Sequence, residues 1–310
     1  MEKRVSIVLC TCNGERFLRE QLDSLRGQSY GNIEILVNDD ASNDGTVEIL
    51  EEYRKAGVLR YWVNPERLGV VKNFERALGL AEGEYLALCD QDDIWEPEKI
   101  EVLVREIDPH PMVFSDASLV DVNGRVIEES NMYYANLQYT PGHQFHSLLF
   151  HNFVQGATTL FRKDLLKWAL PIPGHMMFHD WWLAMVASRK GTIRYLPRRL
   201  IRYRIHDTNQ TRVVDTRSLP KIIGRYLRRD ETAYRATIEE QVLQLMDLQN
   251  HPLFRADTAM IGLAIAYHRG ILGRRPHLKS FFIALRNRHI LYPAMTKKLT
   301  LLFLLRDLWG

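Results

Sequence analysis

Residues 33–45 read IEILVNDDASNDG and residues 85–95 read YLALCDQDDIW, and these two stretches decide the predicted fold. Each begins with a short apolar run typical of a buried β-strand and ends in a cluster of aspartates. Carboxylates this close together repel one another unless a cation or a polyphosphate–metal ligand offsets their charge. In an open α/β sheet the ligand crevice lies just beyond the carboxyl ends of the strands, where both clusters would fall. The pair therefore predicts one binding site, although either cluster alone would fit solvated turns or helix N-caps equally well.

Strand and helix patterns alternate through the first hundred residues. The predicted strands span residues 5–10, 33–37, 58–63 and 84–89, and the predicted helices span residues 16–26, 46–55 and 70–81, with a fourth helix opening at Pro97. Such a β-α-β series predicts an α/β fold with a mostly parallel, Rossmann-like sheet flanked by helices. Later segments predict short strands at 112–115 and 156–161, a hairpin over 118–127, a helix at 179–189 and a β element made of two strands, 193–196 and 200–205.

The charge of the chain is distributed unevenly. Residues 215–310 carry 16 Lys and Arg against 8 Asp and Glu, whereas residues 1–214 carry 25 against 30. From about Leu219 onward the apolar pattern indicates amphipathic helices. We therefore predict an α/β domain over residues 1–214 and a basic helical extension over residues 215–310.

The basic extension suggests what the protein contacts. We expect no nucleic-acid partner, because the chain has no zinc-finger spacing, RNP-type strand or helix-turn-helix pattern. Residues 280–291 and 294–309 combine apolar and basic side chains, which leaves two alternatives. These helices either lie on an anionic membrane surface or pack on the protein, including on a second copy of the chain in a homodimer.

The cellular setting follows from the cysteines and the apolar runs. The three cysteines form no CxxC pair, which favours a reducing, cytoplasmic location. The first apolar run is a strand and not a signal-peptide core, and no stretch reaches the roughly 18 apolar residues of a spanning helix. If the extension binds membrane, we expect the protein at the inner face of the plasma membrane.

Several segments, taken together in their order, resemble family 2 of the glycosyltransferases, which have the GT-A fold. These segments are SIVLCTCNGERFLREQLDSLRGQSYGNIEILVNDDASNDGT at 6–46, RLGVVKN at 67–73, CDQDD at 89–93, FHDWW at 178–182 and YRIH at 203–206. The resemblance covers roughly residues 4–210. The CDQDDIW form and the YRIHDTNQT ending are most similar to rhamnosyltransferases of bacterial surface polysaccharide synthesis.

The resemblance implies an inverting, metal-dependent transfer from a nucleotide-diphosphate sugar to a polysaccharide or lipid-linked acceptor. The donor it suggests is dTDP-L-rhamnose, with a UDP-sugar as the other candidate, and the metal is Mg²⁺ or Mn²⁺. Asp90 and Asp92 occupy the DxD metal motif, Asp180 the position of the catalytic base, and His206 a position that often reaches the metal. His179 departs from the family, which usually has an acidic residue there.

Residue chemistry supports a metal site within the second cluster. Asp92, at its centre, is our first choice of ligand, because Mg²⁺ and Mn²⁺ prefer hard oxygen ligands. Asp90 is the second choice, or it contacts the ribose or sugar of the donor instead. We expect Asp93 to cap the helix that opens near Pro97. Without the resemblance, His206 would be interpreted as an ordinary hydrogen-bonded histidine.

The nucleoside would lie against the first half of the chain. Thr11 and Asn13 follow the first predicted strand and Asp40 follows the second, so the three side chains are expected to meet in one pocket. Asp40 could accept the imide N–H of uracil or thymine, or it could form an Asx-turn. Lys72 opens a helix, where its charge opposes the macrodipole, so it either binds a phosphate or is simply solvated.

Asp180 is the predicted general base, because an inverting transfer needs one carboxylate to take the proton of the acceptor hydroxyl. Trp181 and Trp182 would line the site, or pack in the core. Two other functions remain open. One is a nucleotidyltransferase, although CTCNGERF has a single glycine where that class commonly has a Gly-rich loop, and the other is a non-catalytic protein that binds nucleotide sugars.

Overall fold

The computed structural model describes residues 2–135, 139, 144–209, 230–273 and 277–287. The strands are β1 (Val5–Thr11), β2 (Ile33–Asp39), β3 (Arg60–Val63), β4 (Tyr85–Cys89), β5 (Ile94–Trp95), β6 (Met112–Val120), β7 (Val126–Glu128), β8 (Thr159–Arg162) and β9 (Arg194–Arg204). The helices are α1 (Leu18–Arg26), α2 (Thr46–Lys55), α3 (Val70–Gly79), α4 (Lys99–Ile107), α5 (Asn131–Tyr134), α6 (Gln144–Leu148), α7 (Leu166–Ala169), α8 (His179–Lys190), α9 (Glu231–Asn250), α10 (Thr258–Ile271) and α11 (Leu278–Arg286). Short 3₁₀ helices span Gly156–Thr158, Lys163–Leu165 and Pro252–Asp257.

All nine strands of the described residues form one sheet in the order β3-β2-β1-β4-β8-β6-β9-β5, with β7 paired to β6. Parallel pairs join β1 to β2, β1 to β4, β2 to β3 and β6 to β9. β8 is antiparallel to both β4 and β6, and β5 and β7 are also antiparallel to their partners. The predicted α/β fold with a mostly parallel sheet is confirmed.

The pairing register brings the ends of three strands to one edge of the sheet. Thr11 of β1 pairs with Asp39 of β2, and Leu9 of β1 pairs with Cys89 of β4. The loops that follow these strands therefore leave the sheet side by side. This edge carries both aspartate clusters, as the sequence pattern predicted.

Two strands are longer than their sequence patterns predict. β6 continues through Asp116 and Ser118, and β9 runs unbroken through Pro197. Polar residues and a proline usually mark turns, but the β6–β9 register shifts around Asp116 and absorbs the irregularity as a bulge. The predicted hairpin after β6 is confirmed, with Gly124 at a φ of +77° in the turn.

The chain divides into two compact units that are discontinuous in sequence. The first comprises Met1–Leu137, Val154–Ile172 and Phe178–Arg217, and the second comprises Gln138–Phe153, Pro173–Met177 and Ser218–Gly310. The boundary that we predict between residues 214 and 215 lies outside the described residues and stays a prediction. The predicted helix over 294–309 also lies outside them.

Beyond residue 219 the described residues of the second unit are mostly helical, as predicted. Its core is a small cluster of buried side chains from α9, α10 and α11, namely Ile238, Tyr267, Ile271 and Ala284. The Ser280 hydroxyl of α11 donates to the Tyr267 carbonyl of α10 at 2.7 Å, and a Cβ on Gly270 would meet Ser280 Oγ at 2.3 Å. Gly270 therefore lets these two helices approach closely. Among the described residues, none of the helices has the length and apolarity needed to cross a membrane.

Candidate functional site

The loops that follow β1 and β2 are joined by side-chain hydrogen bonds. The Thr11 hydroxyl donates to Asp39 Oδ2 at 2.7 Å, and Asn13 Oδ1 accepts from the Asn43 N–H at 2.9 Å. Asn13 has a φ of +51°, a conformation that asparagine tolerates better than most residues. Thr11 is buried and Asn13 is exposed. Both residues lie at the edge of the sheet where β1 and β2 end, as predicted. Their hydrogen bonds to Asp39 and Asn43 hold the two loops together.

Asp40 anchors the loop that leads into α3. Its Oδ1 accepts from the Leu68 N–H and from Asn64 Nδ2, both at 2.8 Å, and its Oδ2 accepts from the Gly69 N–H at 2.9 Å. Gly69 has a φ of +81°, which favours glycine. A carboxylate oxygen has two lone pairs, so Oδ2 retains capacity for one more donor beyond Gly69. The geometry is compatible with the predicted contact to an imide N–H, which stays a prediction.

Three buried asparagines form hydrogen bonds that hold the loop around Asp40 in place. Asn38 Nδ2 donates to Asn64 Oδ1 at 2.9 Å and to Asn73 Oδ1 at 2.6 Å, and Asn73 Nδ2 donates back to the Asn38 carbonyl at 2.9 Å. All three are at most 2% exposed. Because buried amides must be paired, the network fixes β2, the loop and α3 in one arrangement.

Lys72 already has partners within the protein. Its ammonium lies 3.0 Å from Glu75 Oε2 and 3.3 Å from the Ile172 carbonyl, and about half of its side chain is exposed. Arg67 is a second exposed cation nearby, and it has no ion-pair partner in the described residues. Burial raises the pKa of the Cys12 thiol, and the charge of Arg67 opposes that rise, which puts Arg67 close to the end of β1. We did not single out Arg67 from the sequence as a site residue, although it begins the RLGVVKN segment.

In the second aspartate cluster Asp93 is buried, whereas Asp90 and Asp92 are half-buried. Burial raises the pKa of the Asp90 carboxyl, and the negative charges of Asp92 and Asp180 raise it further. Burial also raises the pKa of Asp93 well above its ordinary value. Asp93 Oδ1 accepts from the Arg204 N–H at 3.1 Å, whereas its Oδ2 has no partner among the described residues.

The expectation that Asp93 caps the following helix is wrong. α4 begins at Lys99, its N-cap position is Glu98, and no side chain forms a cap bond there. The two-residue strand β5 intervenes and pairs with β9, which carries the chain away before the helix opens. Asp93 instead joins residues 90–93, here called the acidic loop, to the end of β9.

Asp92 and His206 lie in direct contact, with Asp92 Oδ2 2.8 Å from His206 Nε2. The His206 side chain is 4% exposed, and its ring lies 5.0 Å from that of Phe17. A carboxylate and an imidazole, with the Asp90 carboxyl beside them, are donor types that fit Mn²⁺ or Mg²⁺. No group of three or more His, Cys, Asp or Glu side chains with metal-holding geometry occurs in the described part of the chain. Two protein ligands suffice where substrate phosphates supply others.

Asp180 lies in the first turn of α8. Its Oδ2 accepts from the Gly156 N–H at 2.9 Å and its Oδ1 accepts from the Trp181 N–H at 2.6 Å. Because its charge raises the pKa of Asp90, the two carboxyls are close in space although 90 positions separate them. Trp182 is fully buried and its Nε1 donates to the Ala169 carbonyl at 2.8 Å, so it packs in the core. Trp181 is 5% exposed.

His179, where the family usually has an acidic residue, is a buried neutral imidazole. Its ring stacks on Phe74 of α3 with centroids 3.7 Å apart and an angle of 14°. Burial lowers its pKa to about 3. Its Nδ1 has no hydrogen-bond partner among the described residues. The local contact is therefore aromatic packing between α8 and α3.

Arg204 organises the acidic loop, and its role was not apparent from the sequence. It is 1% exposed, its Nε donates to the Asp92 carbonyl at 2.9 Å, and its guanidinium also bonds Val122 and Glu20. The only signal is its place inside YRIH, because an arginine on a strand is usually solvated. Lys99, also buried, was missed because a lysine in the first turn of a helix is usually solvated.

Two solved structures show the fold that this chain resembles. Staphylococcus aureus TarS 1–349, in complex with UDP, matches with a TM-score of 0.58 and 20% identity, over 98% of this chain and 80% of that one. The mannosyltransferase PcManGT from Pyrobaculum calidifontis, in complex with GDP-Man and Mn²⁺, matches with a TM-score of 0.55 and 17% identity, over 99% and 86%. The chain thus has the GT-A glycosyltransferase fold, as predicted.

The chain belongs to Glycosyl transferase family 2, which matches residues 6–168. Among its relatives, the uncharacterized protein Rv1520 of Mycobacterium tuberculosis is 32% identical over 65% of this chain and 59% of that protein. An uncharacterized glycosyltransferase of Haemophilus influenzae is 28% identical over 67% of each chain, and the putative glycosyltransferase EpsH of Bacillus subtilis is 28% identical over 65% and 61%. The match thus spans less than two thirds of Rv1520 and of EpsH. Family membership favours a glycosyltransferase over a nucleotidyltransferase.

Proposed function

We propose that the protein is an inverting, metal-dependent glycosyltransferase, with its catalytic residues in 1–214 and a basic helical extension over 215–310. The observation that carries the proposal is the contact of Asp92 with His206, 2.8 Å apart, beside the half-buried carboxyl of Asp90. Asp180, whose charge acts on Asp90, provides a further carboxylate at the same edge of the sheet. These side chains supply a metal-binding group and a base within one site.

In the proposed reaction, an acceptor hydroxyl oxygen forms a bond to the anomeric carbon of the donor sugar. The bond from that carbon to the phosphate oxygen breaks on the opposite face, and its electron pair leaves with the nucleoside diphosphate. Asp180 takes the hydroxyl proton as general base. Mg²⁺ or Mn²⁺, held by Asp92 and His206 with Asp90, would neutralise the charge of the diphosphate. Asp90 alternatively binds the ribose or sugar of the donor.

The nucleoside would lie against the loops after β1 and β2. Asp40 Oδ2, which retains a lone pair, would accept the imide N–H of a pyrimidine base. Thr11 and Asn13 would shape the pocket through the loops that they join. Lys72 would bind a phosphate oxygen by exchanging its contact with Glu75, and the exposed Arg67 offers a second cation.

We propose dTDP-L-rhamnose as the donor and a bacterial surface glycan or its lipid-linked precursor as the acceptor. The support is the likeness of CDQDDIW and YRIHDTNQT to rhamnosyltransferases. A UDP-sugar is the second candidate, because TarS was solved with UDP-GlcNAc.

The test is a panel of dTDP-, UDP- and GDP-sugars, each incubated with the protein with and without Mg²⁺ or Mn²⁺, with released nucleotide and free sugar measured. Metal-dependent release of dTDP together with rhamnose is expected. Formation of nucleoside triphosphate and sugar 1-phosphate from the same donors, when pyrophosphate is added, would instead indicate a nucleotidyltransferase. Nucleotide binding by calorimetry without any release would indicate a non-catalytic binding protein.

The second unit supports a peripheral membrane contact near a lipid-linked acceptor. On α11, Leu278 is 53% exposed, Phe282 61% and Leu285 37%, and their spacing of four and three residues puts them on one face. Lys279 and Arg286 add positive charge to the same helix. Such a helix can lie in an anionic interface with its apolar face in the acyl boundary.

Flotation with anionic liposomes at low and high salt tests this contact. Leu278→Asp should reduce the bound fraction severalfold, because a carboxylate enters the apolar face. Val126→Asp is the matched control, since Val126 is equally exposed, at 53%, but lies in β7 of the first unit. Absence of binding at low salt, with a dimer seen by light scattering that Leu278→Asp dissociates, would instead assign the face to a second copy of the chain.

A further inference from the structure

Lys99 is a fully buried lysine beneath the acidic loop. It is 0% exposed, and its ammonium lies 3.1 Å from the centroid of the Trp95 ring and donates a hydrogen bond to the Ala157 carbonyl. Burial lowers its pKa to about 7, against the opposing effect of Asp93 and Asp90. A buried ammonium is costly to the fold unless its charge and its hydrogen bonds are balanced. A lysine on the exposed face of α4 would avoid this cost, so we expect a role that requires Lys99 to be buried.

The carbonyl that Lys99 bonds belongs to the turn that holds Asp180. This turn, Gly156–Thr158, is a 3₁₀ helix whose first N–H, from Gly156, donates to Asp180 Oδ2 at 2.9 Å. The Gly156 carbonyl in turn accepts from the Thr159 hydroxyl at 2.7 Å. Lys99 therefore bonds the second peptide group along from the one that contacts Asp180, and the Thr159 hydroxyl bonds the peptide group between them.

Gly156 fits closely against Asp180. A Cβ at position 156 would lie 3.1 Å from Asp180 Cβ and 3.3 Å from its Oδ2. A displacement of the turn by a few tenths of an ångström would therefore either press on the carboxylate or lengthen its hydrogen bond. The position of the Asp180 carboxylate depends on the turn, and the turn is fastened on one side by Lys99 and on the other by Thr159.

We propose that Lys99 is a positioning residue for the transfer reaction, acting on Asp180 through the Gly156–Thr158 turn. Its ammonium holds the Ala157 carbonyl, and the turn then presents the Gly156 N–H to the carboxylate. The inference rests on the proposed role of Asp180 as the base. Under this proposal, replacing Lys99 lowers the turnover rate, whereas replacing a lysine that only packs in the core would lower stability alone.

The test compares Lys99→Met, which keeps the length of the side chain but removes its charge and its donor, with wild type. We expect kcat for metal-dependent nucleotide release to fall about 10- to 100-fold, the effect expected of a misplaced catalytic group. The affinity for UDP measured without metal should stay within about twofold of wild type, because Lys99 bonds the Ala157 carbonyl and none of the residues assigned to the nucleoside. Lys163→Met is the matched control, since the exposed Lys163 also bonds a backbone carbonyl, that of Glu82, and should retain wild-type kcat.

A double-mutant cycle with Asp180→Asn separates positioning from a general effect. If Lys99 acts through Asp180, adding Lys99→Met to Asp180→Asn should cost at most about twofold more. Multiplicative losses, or a loss of UDP affinity at unchanged kcat, would overturn the inference. A different result would contradict the proposed function itself: the single Asp180→Asn variant would then have the same kcat as wild type.

A second variant keeps the inference testable if Lys99→Met does not fold. Thr159→Val removes the hydrogen bond to the Gly156 carbonyl with little change in side-chain volume, at a position 1% exposed. It should lower kcat severalfold at unchanged UDP affinity. An unchanged kcat in a folded Thr159→Val protein would then overturn the inference.

Discussion

Mild acid should destabilise the first unit through His179, whose ring is buried and stacked on Phe74. The pKa of this imidazole is about 3 in the folded protein, against 6.5 for an ordinary histidine. The unfolded chain therefore binds a proton below pH 6.5 that the folded protein does not bind until about pH 3. The contribution of His179 to the free energy of unfolding is therefore complete above about pH 6.5, and it is lost progressively as the pH falls from 6.5 to about 3.

The magnitude follows from the two pKa values. Between about pH 7.5 and 5.5, one histidine that titrates only in the unfolded state costs about 1.4 kcal/mol of unfolding free energy. Asp90 and Asp93 act in the opposite direction, because their raised pKa values let the folded protein hold protons that the unfolded chain releases. The effect of His179 is therefore the difference between wild type and a variant that cannot titrate, measured at both pH values.

The variant is His179→Phe, which keeps an aromatic ring against Phe74. Urea unfolding is followed by tryptophan fluorescence, since five of the six tryptophans belong to the first unit. Between the two pH values the variant should lose about 1.4 kcal/mol less than wild type. His110→Phe is the control, since the ring of His110 contacts the Thr192 carbonyl at an exposed site. Equal losses in wild type and His179→Phe would refute the reasoning.

Three substitutions test the site itself. Asp92→Asn should abolish metal-dependent nucleotide release and weaken Mn²⁺ binding, because an amide brings no negative charge to the ion; near-normal metal-dependent release would contradict this. Asp180→Asn should lower kcat by about 10²–10⁴-fold while UDP affinity persists, whereas lost affinity at normal kcat would make Asp180 a binding residue. Gly69→Ala should weaken UDP binding about tenfold in calorimetry, because a side chain is strained at a φ of +81°. Gly79→Ala, where nothing lies within 4 Å of the added carbon, should bind UDP like wild type, and equal affinities of the two variants would count against the Asp40 anchor.

The sequence by itself was sufficient to predict the strands and helices of the first 89 residues. Alternating strand and helix patterns up to residue 89 matched β1–β4 and α1–α3 to within one or two residues at most ends. Each βα unit is local, and right-handed crossovers leave few ways to arrange parallel strands. The common edge of Asp40 and Asp90 follows from those rules alone.

The second half was less predictable, because its order in the sheet is not local. β8 lies antiparallel between β4 and β6, and the turn that precedes it bonds Asp180 through the Gly156 N–H. Periodicity shows which face of one element is apolar, but it does not show which elements become neighbours. The motif resemblance grouped Asp92 with His206, whereas the 2.8 Å contact between them required the full sheet.

Only the tertiary structure decided which polar and charged side chains are buried. Lys99, Arg204 and His179 have ordinary polar sequence contexts, yet each is at most 7% exposed. Their environments come from residues far along the chain, such as Ala157 for Lys99 and Asp92 for Arg204. A buried charge is tolerated only where distant groups balance it, and that balance is a property of three-dimensional packing. The sequence determined which chemical groups the protein has at its strand ends, and the packing determined which of them act on one another.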